Sequence, residues 1–327
     1  MRISRLAVLV ALAVVVLLAV AASLVLGSRW LGFGAVAHAL VGPGGTDADV
    51  IVRDLRLPRT VVALVAGCCL GVAGALMQGH TRNALAEPGV FGVSAGAALA
   101  VVLGLQAGVV RSVTATVWCA LAGALVATVA VHWLAGRAGG PVALALTGAA
   151  VAAFLGAVTS AIVLLDADTL DGYRFWAVGS VSGRGLDVVR QVLPFALAGL
   201  VLAAFNVRGL DLLALGDDVA ASLGLSVART RLVGLAAIGL LTAAGVAACG
   251  PVGFLGLLAG HVARRLTGSR YVWLVPAAGL AGAAGLVLAD LAGRLLGGAG
   301  EVQAGVVLGL VGAPVFVAVV RRRAVAL

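Results

Sequence analysis

The stretch from Arg56 to Ala100, RLPRTVVALVAGCCLGVAGALMQGHTRNALAEPGVFGVSAGAALA, carries most of the information about the fold of this chain. It begins with arginines, continues as a glycine-rich apolar run, passes through a polar turn and becomes apolar again. Each apolar run is about as long as the roughly 20 helical residues that cross a bilayer. The stretch therefore predicts a basic extramembrane face, a transmembrane helix, a short loop and a second helix that returns.

The composition is that of an integral membrane protein. The 327 residues are 62% hydrophobic and 11% charged, with a mean hydropathy of +1.18, whereas soluble domains carry roughly 25% charged residues. At roughly 20 residues per span, the apolar residues suffice for about ten helices. We therefore predict one all-α transmembrane domain over residues 1–327, surrounded by membrane lipid.

The net charge of +9 comes from arginine alone, because the sequence contains no lysine. The arginines lie mostly in short loops between apolar runs, so membrane topology explains them and no nucleic-acid partner is predicted. Without lysine the chain cannot form a Walker-type ATP site, whose lysine reaches the phosphates. We predict no enzyme activity and no cofactor in this chain.

Hydropathy places ten spans along the chain. An even number of spans puts both termini on one side, and the arginines at 2, 5 and 321–323 predict that this side is the cytoplasm of a multi-pass protein in the cytoplasmic (inner) membrane. The predicted spans are residues 6–27, 59–79, 89–109, 113–135, 141–165, 187–206, 231–250, 251–266, 272–296 and 303–320.

Two segments do not fit simple spans. Residues 166–186 begin acidic and contain a short aromatic stretch, which predicts an external loop with a short surface or re-entrant helix. Residues 208–230 are polar enough to leave the membrane, and they predict the largest cytoplasmic loop, with two short helices broken at Gly216 and Gly224. Inside the spans, Gly67 and Gly71 at four-residue spacing favour close helix packing.

Several arginines lie on the side that topology predicts to be external. Arg53, Arg56 and Arg59 recur every third residue around the rigid Pro58, and Arg294 at the end of the ninth span comes out on the same side. One such arginine is explained by snorkelling at a helix end. Three together favour a docking face for carboxylates, to which arginine offers bidentate, charge-assisted bonds.

The other polar residues show no catalytic or metal-binding pattern. The cysteines lie in apolar spans without C-x-x-C spacing, and the histidines are dispersed, so no metal site is predicted. No acidic residue or histidine is evident at mid-span, where a carrier driven by an ion gradient would need one. A cargo path is predicted to be lined by small, weakly polar side chains, namely Gln78, Ser94, Thr147, Thr159 and Ser160.

Blocks along nearly the whole chain resemble one family, the FecCD-type permeases of ATP-binding-cassette (ABC) importers, which carry ferric siderophores, haem or cobalamin. The matching blocks are RLPRT (56–60), GALMQGHTRNALAEPGVFGVSAGAALA (74–100), LGDDVAASLGL (215–225), GPVGFLGLLAGHVARRLTGSR (250–270), LADLAGR (288–294) and GVVLGLVGAPVF (305–316). Their common order makes the resemblance far more specific than any one motif.

The resemblance implies a fold, partners and site residues. It implies the type II importer permease fold and a homodimer or a heterodimer with a similar permease chain. It also implies two ATP-binding-cassette ATPase subunits, which bind ATP and Mg²⁺, and an extracytoplasmic substrate-binding protein. It implies that glutamates of the binding protein pair with Arg56, Arg59 and Arg294. It implies contacts with the ATPase at Leu215, Gly216, Asp217, Asp218, Ala221, Ser222, Leu223 and Gly224, and a cytoplasmic gate at Gly139, Gly140, Pro141 and Val142.

Three family prolines are missing here. The residues Ala84, Gly260 and Gln303 stand at their positions. Because proline fixes the backbone angle φ, we expect more relaxed turns and a less rigid start of the tenth span.

We therefore predict the permease subunit of an ATP-driven importer of iron–siderophore or similar metal-chelate cargo, working by alternating access. Haem or cobalamin import is the alternative within the family. An ion-gradient-driven secondary carrier is the alternative from a different class, and it would transport without an ATPase partner.

Overall fold

The computed structural model describes residues 4–27, 29–42, 45–136, 140–297 and 300–324. Over these residues the secondary structure is helical, and no strand occurs in them. The α-helices in chain order are α1 (Arg5–Val25), α2 (Phe33–Val41), α3 (Asp47–Val50), α4 (Leu57–Thr81), α5 (Val93–Gln106), α6 (Val113–Gly136), α7 (Gly140–Leu165), α8 (Ala167–Ala177), α9 (Leu186–Leu213), α10 (Asp217–Ser222), α11 (Val227–Cys249), α12 (Leu255–Thr267), α13 (Tyr271–Leu296) and α14 (Ala304–Ala324).

Seven helical segments in the described part are long and apolar enough to cross a membrane. They correspond, to within a few residues at most ends, to the predicted spans at 6–27, 59–79, 113–135, 141–165, 187–206, 231–250 and 272–296. The second of them starts earlier than predicted, because α3, a π-helical turn at Ile51–Arg56 and α4 join into one run from Asp47 to Thr81. The fold is thus that of an all-α integral membrane protein.

Three predicted spans are not among these seven segments. The span predicted at 89–109 is a 3₁₀ turn at Pro88–Phe91 followed by α5, and the span predicted at 251–266 is the 13-residue α12. At 1.5 Å per residue each of these helices extends only about 20 Å, less than a bilayer core of about 30 Å. The third is α14, whose described apolar part is Ala304–Ala318.

The two short helices begin next to each other inside the bundle. A side-chain carbon at Gly256, in the first turn of α12, would lie 3.3 Å from Pro88, just before α5, and 2.9 Å from the carbonyl oxygen of Leu70 in the middle of α4. Irregular backbone at such a depth is tolerated because surrounding protein covers it. The bundle therefore has helix starts in its interior that hydropathy alone does not indicate.

The centre of the bundle consists of α4, α11 and α13, which are mostly buried, whereas fewer than a third of the residues in the apolar windows of α6, α7 and α9 are buried. The helices α4 and α13 approach so closely that a side-chain carbon at Gly67 or Gly71 would collide with the backbone at Gly282 or Ala278. Small residues allow this approach, and in lipid such packing drives helix association.

The polar segments between helices differ in part from expectation. The short helix predicted within 166–186 is α8. The prediction of two short helices within 208–230 is wrong, because α9 continues to Leu213 and α11 begins at Val227, which leaves only α10 between them. The predicted breaks are real, since Gly216 and Gly224 adopt positive φ angles of 112° and 84°, which glycine tolerates best.

The bundle has two distinct ends. At one end, Arg59 in the first turn of α4 lies beside the C-terminal parts of α1 and α13, and we call this the Arg59 end of the bundle. At the other, Arg82 follows α4 and contacts α10, and we call it the α10 end. The start of α14 lies at the Arg59 end, where Glu301 contacts Arg59.

Candidate functional site: a buried arginine cluster

A group of five charged residues joins α4, α13 and the segment before α14 at the Arg59 end. We call Arg56, Arg59, Asp290, Arg294 and Glu301 the arginine cluster. Arg56 and Arg59 lie on the continuous helical run formed by the π-helical turn and α4. Asp290 and Arg294 lie one turn apart on α13, which packs more closely against α4 than any other helix does. The cluster is therefore built on the two most closely packed helices of the bundle.

Arg59 is held by two carboxylates on different sides of its guanidinium. Its Nε donates a 2.8 Å hydrogen bond to Oδ1 of Asp290, and NH2 lies 2.6 Å from the same oxygen. Its NH1 donates to Oε2 of Glu301 at 2.7 Å and to the hydroxyl of Ser182 at 3.3 Å. Arg59 thus ties together α4, α13 and the segments before α9 and α14.

Arg294 shares Asp290 with Arg59 and also reaches α1. Its Nε lies 3.2 Å from Oδ2 of Asp290, and its NH2 donates a 2.6 Å hydrogen bond to the hydroxyl of Ser23. Ser23 and Thr60 share a further hydrogen bond of 2.8 Å. Each carboxylate oxygen of Asp290 therefore pairs with a different arginine.

Arg56 is satisfied by backbone oxygens instead of a carboxylate. Its NH1 donates to the carbonyl oxygens of Leu24 and Val25 at 2.7 and 2.8 Å, and its NH2 donates to that of Arg29 at 2.5 Å. These carbonyls lie at and after the C-terminal turn of α1, where unpaired carbonyls and the helix dipole favour a cation. Arg56 therefore closes the end of α1.

A cavity of about 440 Å³ lies against the cluster. Because five arginines and two carboxylates line it, the cavity presents an excess of positive charge to an entering group. Burial alone would raise the pKa of Glu301, but hydrogen bonds from Arg59 hold this pKa below its usual value, so the carboxylate stays charged. The charged lining residues are Arg29, Asp54, Arg56, Arg59, Arg184, Arg294 and Glu301.

The expectation of an exposed arginine face is wrong for the three central arginines. Arg56, Arg59 and Arg294 are only 6%, 9% and 5% exposed. The physical reason is that partners far away in sequence satisfy them, and buried charges require such partners. Arg53 is half-buried and donates to the carbonyl oxygens of Ala39 and Gly42. Docking through these arginines stays a prediction, and the cavity is the place where a partner could reach them.

At the α10 end, a carboxylate anchors α10 to the helix bundle. Asp217, the first residue of α10, accepts hydrogen bonds from Arg82, just after α4, and from Arg231 of α11, the latter at 2.5 Å. Asp217 is thus an internal tie as well as a surface residue. Sequence reasoning placed it in the partner contact and missed this role.

The outer face of α10 is apolar. Val219 and Leu223 lie four residues apart on one side of α10, Leu215 lies just before the helix, and all three side chains are exposed. We call these three residues the apolar stripe. An apolar stripe on a segment outside the spans is typical of a contact surface. Of the other residues predicted to contact an ATPase, Asp218, Ala221, Ser222 and Gly224 are exposed, and Gly216 is half-buried.

A buried polar chain fixes the helices that flank α10. His80 near the end of α4 contacts Oδ1 of Asn206 on α9 at 2.9 Å, and Nδ2 of Asn206 donates a 2.7 Å hydrogen bond to the carbonyl oxygen of Thr230 on α11. His80 and Asn206 are both buried. Because buried polar groups require partners, this series of hydrogen bonds fixes the positions of α4, α9 and α11 relative to one another.

The residues predicted to line a cargo path do not share one surface of this chain. Gln78 is buried, and its Nε2 lies 3.4 Å from the carbonyl oxygen of Leu257, so its role in a cargo path stays a prediction. It packs against Gly260, where the family has proline. On α7, Ser160 is exposed, Thr147 half-buried and Thr159 buried, and Ser94 of α5 is half-buried.

The predicted gate lies at the start of α7. Gly139 is outside the described residues, and Gly140, Pro141 and Val142 form the first turn of α7. Near the interior helix starts, the carboxylate of Glu87, which hydropathy does not indicate, lines a small cavity together with Ser94. No group of three His, Cys, Asp or Glu residues in the described ranges could hold a metal ion.

These features define a multi-pass membrane protein with a charged cavity at one end and an apolar surface helix at the other. The model of the FecCD transport family matches residues 14–322, and the chain therefore belongs to this family, whose members are transporter permeases.

Several curated proteins are similar over almost their whole length. The ferric enterobactin transport system permease protein FepD of Escherichia coli (strain K12) is 43% identical over 316 residues, which are 95% of this chain and 94% of FepD. The probable siderophore transport system permease protein YfiZ of Bacillus subtilis (strain 168) is 38% identical over 98% of this chain and 97% of YfiZ. The Fe(3+) dicitrate transport system permease protein FecD of Escherichia coli (strain K12) is 38% identical, over 84% of this chain and 86% of FecD.

A solved structure shares the fold. It is a metal-chelate type ABC transporter in an inward-facing conformation, with a TM-score of 0.85 and 25% sequence identity, covering 96% of this chain and 98% of the other.

Proposed function

We propose that this chain is the permease subunit of an ATP-driven ABC importer for iron–siderophore or similar ferric-chelate cargo. The observation that carries the proposal is the family match over residues 14–322, together with relatives named for ferric enterobactin, siderophore and ferric citrate transport. The iron chelate is the substrate, and it needs no metal ligand in the permease itself. Haem and cobalamin are the less favoured cargoes, because none of these relatives is named for them.

The proposed topology has ten membrane crossings, in which α5, α12 and α14 complete the set of seven long helical segments. The α10 end faces the cytoplasm and the Arg59 end faces outward. This orientation follows from the excess of arginine at the termini and in the loops at the α10 end. Both termini then lie in the cytoplasm of a multi-pass protein of the inner membrane.

The proposed assembly contains this chain, a second permease chain that is identical or similar, two ABC ATPase subunits and an extracytoplasmic binding protein. The ATPase subunits bind ATP and Mg²⁺, because this chain lacks the lysine of a phosphate-binding loop. The apolar stripe Leu215, Val219 and Leu223 meets the ATPase, and the arginine-lined cavity receives acidic groups of the binding protein.

The proposed mechanism is alternating access. Movement of the ATPase subunits displaces α10, and Asp217 transmits the displacement to α4 and α11 through Arg82 and Arg231. Because α4 also carries Arg59 at the other end, one rigid helix connects the two proposed contact surfaces. The path between the two permease chains then opens alternately to each side, and the first turn of α7 is the proposed cytoplasmic gate.

The test is reconstitution of the permease in proteoliposomes with and without its ATPase. Uptake of radiolabelled ferric chelate should require the ATPase and ATP, and uptake by the permease alone would instead identify a secondary carrier. Leu223→Glu should reduce the ATP-dependent uptake at least about tenfold, because a charge replaces an apolar anchor at a contact centre. Ser226→Glu adds the same charge to an exposed position outside the stripe and serves as the matched control.

A further inference from the structure

We propose that Glu301 is an exchangeable internal carboxylate: it holds Arg59 while no partner is docked and yields its place to a carboxylate of the docking protein. This inference rests on the proposed function in assuming that an acidic partner docks at the Arg59 end. It adds a named residue that competes with the partner and a route by which docking reaches other helices.

The two carboxylates on Arg59 are not equivalent. Asp290 lies within α13, its side chain is 2% exposed, and it pairs with both Arg59 and Arg294. The side chain of Glu301 is 38% exposed and lies in the non-helical segment before α14, where it contacts only the NH1 side of the guanidinium. Asp290 is therefore the permanent partner, and Glu301 is the one that an entering group can replace.

The cavity provides the room and the charge for this replacement. Glu301 lines it together with five arginines, so a second carboxylate in the same space meets an excess of guanidinium groups. An entering carboxylate restores the hydrogen bond to NH1 of Arg59 that Glu301 gives up. The exchange therefore leaves no buried arginine without a partner, which would be unfavourable.

Displacement of Glu301 would weaken the connection between two neighbouring segments. The hydroxyl of Ser182, between α8 and α9, donates a 3.0 Å hydrogen bond to the same Oε2 that binds Arg59. The backbone N–H of Gly305, at the start of α14, donates to the carbonyl oxygen of Gly179 at 3.0 Å. The segment before α9 and the segment that leads into α14 are thus joined by two links, of which only the one through Glu301 would be lost on docking.

The experiment measures binding of a hexaglutamate peptide to the purified full-length chain in lipid nanodiscs. Glu301→Gln removes the internal competitor and should tighten peptide binding about fivefold, the upper range for an exposed ion pair. Asp54→Asn removes one negative charge from the lining of the same cavity, but Asp54 forms none of the ion pairs with Arg59. It should tighten binding less than twofold.

Equal effects of Glu301→Gln and Asp54→Asn, or weaker binding to Glu301→Gln, would overturn the proposal. Arg59→Gln should weaken binding and make a further change at Glu301 ineffective, because the two residues act on one bond. Ser182→Ala is the second variant, since it removes a bond to Glu301 without changing any charge. It should tighten binding about twofold, and no change would count against the exchange.

The result of the peptide-binding experiment can be distinguished from the result of the uptake assay that tests the proposed function. Peptide binding needs neither ATPase nor cargo, so a failed uptake assay with a clear Glu301→Gln effect would reject only the importer. Normal ATP-dependent uptake with no Glu301→Gln effect would reject only the exchange.

Discussion

Asp290 should be the most sensitive charged residue of the bundle. Its carboxylate is 2% exposed and pairs with two buried arginines, Arg59 at 2.6 Å and Arg294 at 3.2 Å. The substitution Asp290→Asn preserves the shape of the side chain and removes the charge. Both guanidiniums then lose their common counter-charge, which lies on the almost fully buried side of the cluster.

The magnitude follows from what each arginine retains. Removal of one partner from a buried ion pair costs about 3–5 kcal/mol. Arg59 keeps Glu301 and Ser182, and Arg294 keeps the hydroxyl and carbonyl oxygens of Ser23. We therefore expect the lower end of the range, about 3 kcal/mol of lost unfolding free energy.

The assay is reversible unfolding in mixed micelles with increasing SDS, followed by helical circular dichroism. The matched control is Asp171→Asn, which also removes an aspartate paired with arginine, at 3.1 Å from Arg174, but on the exposed surface of α8. Exposed pairs contribute about 0–1 kcal/mol, so the control should unfold almost like the unsubstituted chain. If Asp290→Asn loses no more stability than Asp171→Asn, the cluster does not hold the bundle together and the reasoning fails.

Three further predictions follow from other parts of the chain. Gly67→Ala should lower the unfolding free energy by about 1–3 kcal/mol, because the added methyl collides with the carbonyl oxygen of Gly282, whereas Gly309→Ala, which meets no atom within 4 Å, should not. Asp217→Asn should lower ATP-dependent uptake while complex assembly, measured by co-purification with the ATPase, persists, since the apolar stripe is untouched; loss of assembly would contradict this. The pKa of Glu301 is lowered, so the pairing of its carboxylate with Arg59 stabilises the fold above the usual pKa of 4.5, and this stabilisation is lost as the pH falls further. The difference in unfolding free energy between the unsubstituted chain and Glu301→Gln should therefore shrink from about pH 6 to about pH 3. A constant difference would refute the pairing.

The hydrophobic spans could be predicted because the bilayer itself sets the rule. A helix such as 113–136 or 271–296 must be long and apolar to cross lipid, and that requirement is visible in a window of about 20 residues. The short helices α5 and α12 were overestimated for the same reason. These helices begin in the protein interior, where other helices cover the irregular backbone before them. A hydropathy window of neighbouring residues contains no information about such tertiary packing.

The polar contacts could be predicted only where partners are close in sequence. Asp290 and Arg294 lie four residues apart on α13, a spacing that brings side chains together on any helix, and they form an ion pair. The bonds from Arg59 to Asp290 and to Glu301 join residues 231 and 242 positions apart. Sequence reasoning therefore placed Arg59 on an exposed face.

The sequence by itself determined the membrane setting, the spans that cross on their own and the family, since all three depend on hydrophobicity and on residue order. Only the tertiary structure decided that the arginines are buried, that Glu301 shares Arg59 with Asp290 and that Asp217 is tied to α4 and α11. The physical reason is that a charge takes its partner from whatever the packed helices bring within about 3 Å, and helix packing is a property of the whole chain.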